Sequence, residues 1–213
     1  MPIKELIEGF RSFCDHYFNG GETIYSELVE KGQSPRAAVV ACADSRVSPN
    51  TLMQAKPGDL FVIRNVANLV QPPESANGNS TISGLEYAVL HLEVEHVIII
   101  GHSHCGGIQA LIDGPSAVEE QFPHVASWVS PFEPIRGEVL QCCAGASKQE
   151  TARIMEKAAV RTSLAHLAAY PWIRERVAAG KLSLHGWYFD LEAGTLSEYD
   201  PEKGEFSILV GKG

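Results

Sequence analysis

The sequence predicts an α/β fold: a mostly parallel sheet of four strands plus an antiparallel edge strand, with helices on both faces and a helical arm at the N-terminus. Three observations predict it. The runs AAVVAC (37–42), LFVIRN (60–65) and HVIIIG (96–101) are short and nearly continuous in apolar residues, as strands buried on both faces are. Segments of helical periodicity separate them, which implies parallel crossovers. Near the C-terminus, LSLHGWYFDL (182–191) alternates partly, and EAGT then LSEYD read as a tight turn and a returning edge strand.

The elements follow in order. In MPIKELIEGFRSFCDHYF, the residues Ile3, Leu6, Ile7, Phe10, Phe13 and Tyr17 recur at helical spacing. Their spacing differs from the continuous apolar core of a secretion signal, so a helix of the mature fold is expected. Its apolar stripe suits either its own core or a partner subunit. GQSPR is a turn before the first strand. CADSRVSPN ends that strand, PGDL turns, and LFVIRN follows. QPPESANGNST (71–81) is a loop. SGLEYAVLHLEV (83–94) is a helix, with Leu85, Ala88, Val89 and Leu92 on one face. HVIIIG is the third strand, and GGIQALI opens another helix. Residues 115–149 are irregular, with short helices. Residues 149–180 are strongly helical, and Pro171 breaks them in two.

The chain has 213 residues, 45% apolar and 20% charged, which suits one domain with a sizeable core. Its net charge of −9 argues against nucleic acid as a partner. No apolar stretch reaches the ~20 residues needed to span a bilayer, so no membrane role is expected. The five cysteines are odd in number and irregularly spaced, which speaks against a disulfide framework and for a reducing, cytoplasmic setting.

The chemistry concentrates in two places. GHSHCGG (101–107) sets His102 and Cys105 on one short loop after a buried strand. CADSR sets Cys42, Asp44 and Arg46 at the end of another. Ligands of open parallel sheets collect beyond the carboxyl ends of the strands. If these strands are neighbours, Cys42, His102 and Cys105 converge. Two cysteines and a histidine with one open position form a catalytic zinc pattern, and thiolate with imidazole favours zinc over magnesium or calcium. Cys105 also precedes a helix, whose N-terminal dipole favours the thiolate. Taken alone, H-x-x-C is a weak signal, and a single buried Cys is commonly just a small apolar side chain. A cysteine-dependent phosphatase is excluded by spacing: its loop needs five residues between Cys and Arg, and three separate Cys42 from Arg46.

CADSR, FVIRNVANLV, EYAVLHL and GHSHCGG, in this order and spacing, resemble the β-class carbonic anhydrases. EKAAVRTSLAHLAAYP and LHGWYFDLEAGTLSEYD extend the resemblance over most of the chain. It implies a zinc-dependent lyase that interconverts CO2 with bicarbonate and a proton. One Zn2+ per chain is then held by Cys42, His102 and Cys105, and a zinc-bound hydroxide is oriented by the Asp44–Arg46 dyad. Val39 stands where the bicarbonate-regulated subgroup carries Trp, so the chain is more similar to the plant-type subgroup. By that comparison Gln33, Phe61, Val66 and Tyr87 line the substrate pocket, with Gln33 reaching across a dimer interface, and the N–H of Gly106 faces a substrate oxygen. His104 is expected to point away from the metal, and Cys142 and Cys143 to be structural. The resemblance further implies that residues 1–213 form one domain whose first 30 residues are an arm on the partner subunit. It implies a homodimer, with tetramers or larger assemblies also found in the family. A same-fold hydrolase of CS2 or COS and a non-catalytic protein with structural zinc are the alternatives. The latter needs a fourth protein ligand, which Asp44 could supply.

Overall fold

The computed structural model describes residues 1–20 and 23–211. Its strands are β1 (Ala37–Cys42), β2 (Leu60–Asn65), β3 (His96–His102), β4 (Ser183–Asp190), β5 (Thr195–Asp200) and β6 (Glu205–Val210). They form one sheet in the order β2-β1-β3-β4-β5-β6. The first four are parallel, and β5 and β6 are antiparallel. The antiparallel edge therefore has two strands where one is expected. The segment EFSILV returns as β6 after the turn at Pro201–Gly204, where Gly204 takes a φ of 72°.

The helices are α1 (Ile3–Phe18), α2 (Ile24–Lys31), α3 (Pro49–Leu52), α4 (Ser80–Glu86), α5 (Gly106–Asp113), α6 (Pro115–Val118), α7 (Pro123–Val129), α8 (Glu133–Cys142), α9 (Lys148–Ala169) and α10 (Pro171–Ala178). Local chemistry sets their ends. Asn79 caps α4 by accepting from the amides of Thr81 and Ile82, so this helix starts three residues earlier than its apolar spacing indicates. It continues as a π-helical turn over Tyr87–His91. Ser147 and Glu150 form a reciprocal capping box at the start of α9. Pro171 stops α9 and opens α10, with Tyr170 extended between them. Among the described residues, no helix is long and apolar enough to cross a membrane.

Strand alternation divides the core. Ala38, Val40, Val97 and Ile99 face α4, α9 and α10, through Leu85, Val89, Val160, Leu167 and Ile173. On the opposite face, Val39, Ala41, Ile98 and Ile100 are covered by Met53 beyond α3 and by Trp187, Phe189 and Leu196 of the sheet itself. A further apolar layer of α5, α7, α8 and α9 closes over the carboxyl ends of β1 and β3 and includes Cys42 and Cys105.

The contact of α9 with β3 is tight. A methyl group at Gly101 would stand 2.5 Å from Cγ2 of Val160, a stiff branched side chain. Gly101→Ala is therefore expected to destabilise the fold by about 1–3 kcal/mol. Denaturant unfolding checks this: an unchanged midpoint would mean that α9 shifts without cost.

Candidate metal centre

The strand order β2-β1-β3 reverses direction between β1 and β3, and such a switch point opens a crevice at the carboxyl ends of the strands. Cys42 is the last residue of β1, His102 the last of β3, and Cys105 the residue before α5. All three are buried, and their ligand atoms lie within 4.8 Å of one another. Among the described residues this is the one group of three or more His, Cys, Asp or Glu side chains so arranged.

The backbone is shaped for this convergence. His104 adopts a φ of 58°, a left-handed turn that folds the chain back between His102 and Cys105. A methyl group at Gly107 would lie 2.6 Å from Val66 and 2.9 Å from the Cβ of Ala67, so glycine allows α5 to start against the 66–68 turn. The amides of Asp44 and Ala67 face the Cys42 sulfur. Those of Gly107 and Ile108 face the Cys105 sulfur.

The donor atoms fit a metal. The two sulfurs are 3.7 Å apart. Two Zn–S bonds of about 2.3 Å at a tetrahedral angle span about 3.8 Å. The Nδ1 of His102 lies 2.9 Å from the carbonyl of Ser103, which can only accept, so Nδ1 carries the proton. Its Nε2 is then a lone pair, buried and without a hydrogen-bond partner. An orphaned lone pair beside two sulfurs, with its ring locked by a backbone carbonyl, is how metal-ligating histidines are held. Without an ion the thiols compete for charge. The Cys42 thiol is pulled down to about 4, chiefly by its hydrogen bond with Cys105, and the Cys105 thiol is pushed up by Cys42 and by burial.

Beside the cluster, Arg46 grips Asp44 through two parallel bonds, Nε to Oδ1 at 2.9 Å and Nη2 to Oδ2 at 2.7 Å. This pairing holds the Asp44 carboxyl well below the usual carboxylate range. The Nη2 of Arg46 also donates to the carbonyl of His104 at 3.0 Å, tying the two ligand loops together. The Asp44 oxygens are not among the clustered donor atoms. The His104 ring turns away, toward Glu192 and Arg153. Cys143 is buried in the helical layer and Cys142 is exposed.

The other sequence-predicted residues divide into three places. Val66 and Gly106 flank the cluster, at the 66–68 turn and the first turn of α5. Phe61 and Tyr87 pair with each other, ring centroids 6.0 Å apart, beside the amino-terminal half of β1, since Phe61 is in register with Ala38. Gln33 is exposed before β1 begins, at the opposite end of the strand from Cys42.

Two contributors escape the sequence reading. Arg64, the charged interruption in LFVIRN, donates to the carbonyls of Cys42, Asp44 and Val47, pinning the loop that carries the dyad. Glu156 is 3% exposed and is the one charged side chain among the buried residues of α9. It accepts from the amide of Cys105 at 3.3 Å and from the hydroxyl of Tyr188 at 2.7 Å. A charged residue within each apolar pattern was the available signal.

Comparison with known proteins agrees with this geometry. The carbonic anhydrase family model matches residues 37–196. A carbonic anhydrase of Synechocystis sp. is 36% identical over 198 residues, covering 93% of this chain and 71% of that protein. The solved structure of the β-carbonic anhydrase CcaA is 35% identical, with a TM-score of 0.90 over 97% of this chain and 98% of that one. Tetrameric β-carbonic anhydrases of Sordaria macrospora are represented by a structure 31% identical, with a TM-score of 0.73 over 92% of each chain. By the match of its sequence and of its fold, the chain belongs to the β-carbonic anhydrase family.

Proposed function

We propose that this protein catalyses the reversible hydration of CO2 to bicarbonate and a proton, with one zinc ion held by Cys42, His102 and Cys105. The observation that carries the reading is the buried, unpartnered Nε2 of His102 beside two sulfurs at zinc-ligand spacing. Zinc at such a centre supplies a Lewis acid that lowers the pKa of water. Three protein donors leave one position open, and among the described residues no carboxylate joins them. This favours catalysis over a closed structural site.

The chain's own residues do the rest. Asp44, kept ionised by Arg46, accepts a hydrogen bond from the attacking water and so aims the oxygen lone pair at the carbon of CO2. Arg46 fixes the plane of that carboxylate and, through the His104 carbonyl, its position relative to both loops. Arg64 keeps the Asp44 loop from drifting. Val66 contributes an apolar wall suited to a small molecule without net dipole, and the amide of Gly106 is offered to a substrate oxygen.

Gln33, Phe61 and Tyr87 join this pocket in our reading from a second subunit. From Ala37 to Cys42, β1 rises roughly 16 Å at ~3.3 Å per residue, so Gln33 does not reach the centre of its own chain. The arm supports a dimer. Helix α1 buries none of its residues, and Ile3, Leu6, Ile7 and Phe10 are all at least 48% exposed. Its contacts run to α2, as in the edge-on packing of Phe13 on Tyr25 at 5.5 Å. We assign residues 1–213 to one catalytic domain whose first 30 residues lie on the partner. The tetrameric relatives support assemblies beyond the dimer.

Three outcomes are expected. Purified protein carries about one zinc per chain by metal analysis, and Cys42→Ser loses most of it; full retention removes Cys42 from the ligand set. Asp44→Asn keeps the zinc but lowers stopped-flow CO2 hydration by about a hundredfold or more, and undiminished turnover discards the dyad. Ile7→Glu with Phe10→Glu shifts sedimentation toward monomer and lowers turnover with it, because each buried apolar side chain is worth about 1.5–3 kcal/mol. A dimer of unchanged stability would place the arm elsewhere.

A further inference from the structure

A second group of soft donors lies at the other end of the sheet. His96 opens β3, which His102 ends six residues later, so the two are roughly 20 Å apart. His96 and His185 lie on neighbouring strands on the sheet face opposite α9, with Nε2 of His185 3.3 Å from Nδ1 of His96. The Nδ1 of His185 sits 2.8 Å from Oε1 of Glu198, and the indole N–H of Trp187 donates to the same oxygen at 3.2 Å.

As at His102, an acceptor oxygen holds one ring nitrogen of His185. An ionised carboxylate only accepts, so Nδ1 of His185 bears hydrogen and its Nε2 accepts from the Nδ1–H of His96; an ion seated between the two rings takes the place of that one proton. A carboxylate behind one histidine nitrogen is the usual support of a metal-ligating imidazole, and the other nitrogen of His185 is here engaged by the ring of His96. Two Zn–N bonds of about 2.0–2.1 Å at a tetrahedral angle span about 3.3–3.4 Å, which matches the separation of the two nitrogens. The cleft beside His96 is lined by Glu93, Glu95, Arg176 and Lys181, where Glu95 is paired with Arg36 and Glu93 with Arg176. The His185 side chain is 28% exposed, so water has access to complete a coordination shell.

We propose that His96 and His185 form a second, accessory site for a divalent transition ion of the zinc class, with Glu198 as the positioning residue behind His185. Such an ion bridges β3 and β4 at their amino ends, remote from the cysteine centre. The test titrates Zn2+ into zinc-replete protein, counting bound metal by equilibrium dialysis and following the imidazole resonances by NMR. The expected result is one further ion per chain, with the His96 and His185 resonances moving together. His96→Gln and His185→Gln each abolish that uptake, and Glu198→Gln weakens it roughly tenfold to a hundredfold. No further ion bound by the folded wild type, or a further ion retained in both histidine variants, overturns the proposal. Because the first ion is tracked separately through Cys42→Ser, failure at either centre leaves the other standing.

Discussion

The local structure depends on one constraint: two thiols and an imidazole are buried together at the ends of adjacent strands, with Nε2 of the imidazole unpartnered. A buried unsatisfied polar atom costs about 1–3 kcal/mol. The chain adds to that cost by holding His104 in the left-handed region and by needing glycine at 107. A fold that only had to pack its core would place apolar side chains at 42, 102 and 105. Several separate features each serve the same point in space: the ring lock on His102, the amides aimed at both sulfurs, and the Arg46 link between loops. That agreement is what a metal-binding centre requires and what a polar turn does not.

Charge gives the same answer. With protons alone, the two sulfurs cannot both ionise, and Cys42 gains its thiolate at the expense of Cys105. A divalent cation would let both ionise. The two thiolates would offset such an ion, as Arg46 offsets the Asp44 carboxylate, so the centre would stand near neutrality in an apolar layer. Glu156, buried on the far side of Cys105, is neutralised in its turn by Arg153 at 3.6 Å and by donors from Tyr188 and the Cys105 amide. Burial of so many ionisable groups is tolerated because nearly every one has a specific counterpart.

The sequence was most informative where a single physical rule dominates. Runs such as AAVVAC and HVIII admit little but a buried strand, and Pro171 admits little but a helix break. The convergence of Cys42, His102 and Cys105 was expected if their strands were neighbours, and β1 does pair with β3. Where competing rules act, the sequence was silent. EFSILV carries an ordinary strand composition, but its place at the sheet edge depends on how the turn at 201–204 closes, and β6 was missed. Arg64 and Glu156 act through backbone groups of distant segments, a relation that no local spacing encodes. The uneven division of the helices, with few on the Val39–Ile100 face, is likewise a tertiary outcome.

That unevenness bears on what the functional unit is. A parallel sheet is stable when both faces are covered. Here Val39, Ala41, Ile98 and Ile100 are buried within the one chain with few helices over them, while α1 presents an apolar stripe with no core of its own. The half-buried Phe61, on the outer strand β2, pairs with the exposed Tyr87, and Gln33 is exposed just before β1 begins. In our reading a twofold partner covers the arm and this aromatic pair together, since an isologous contact repeats the same patch on both subunits. On that reading the arm and the buried donors serve one end: Cys42, His102 and Cys105 converge within a single chain, and the pocket proposed beside them takes residues from two.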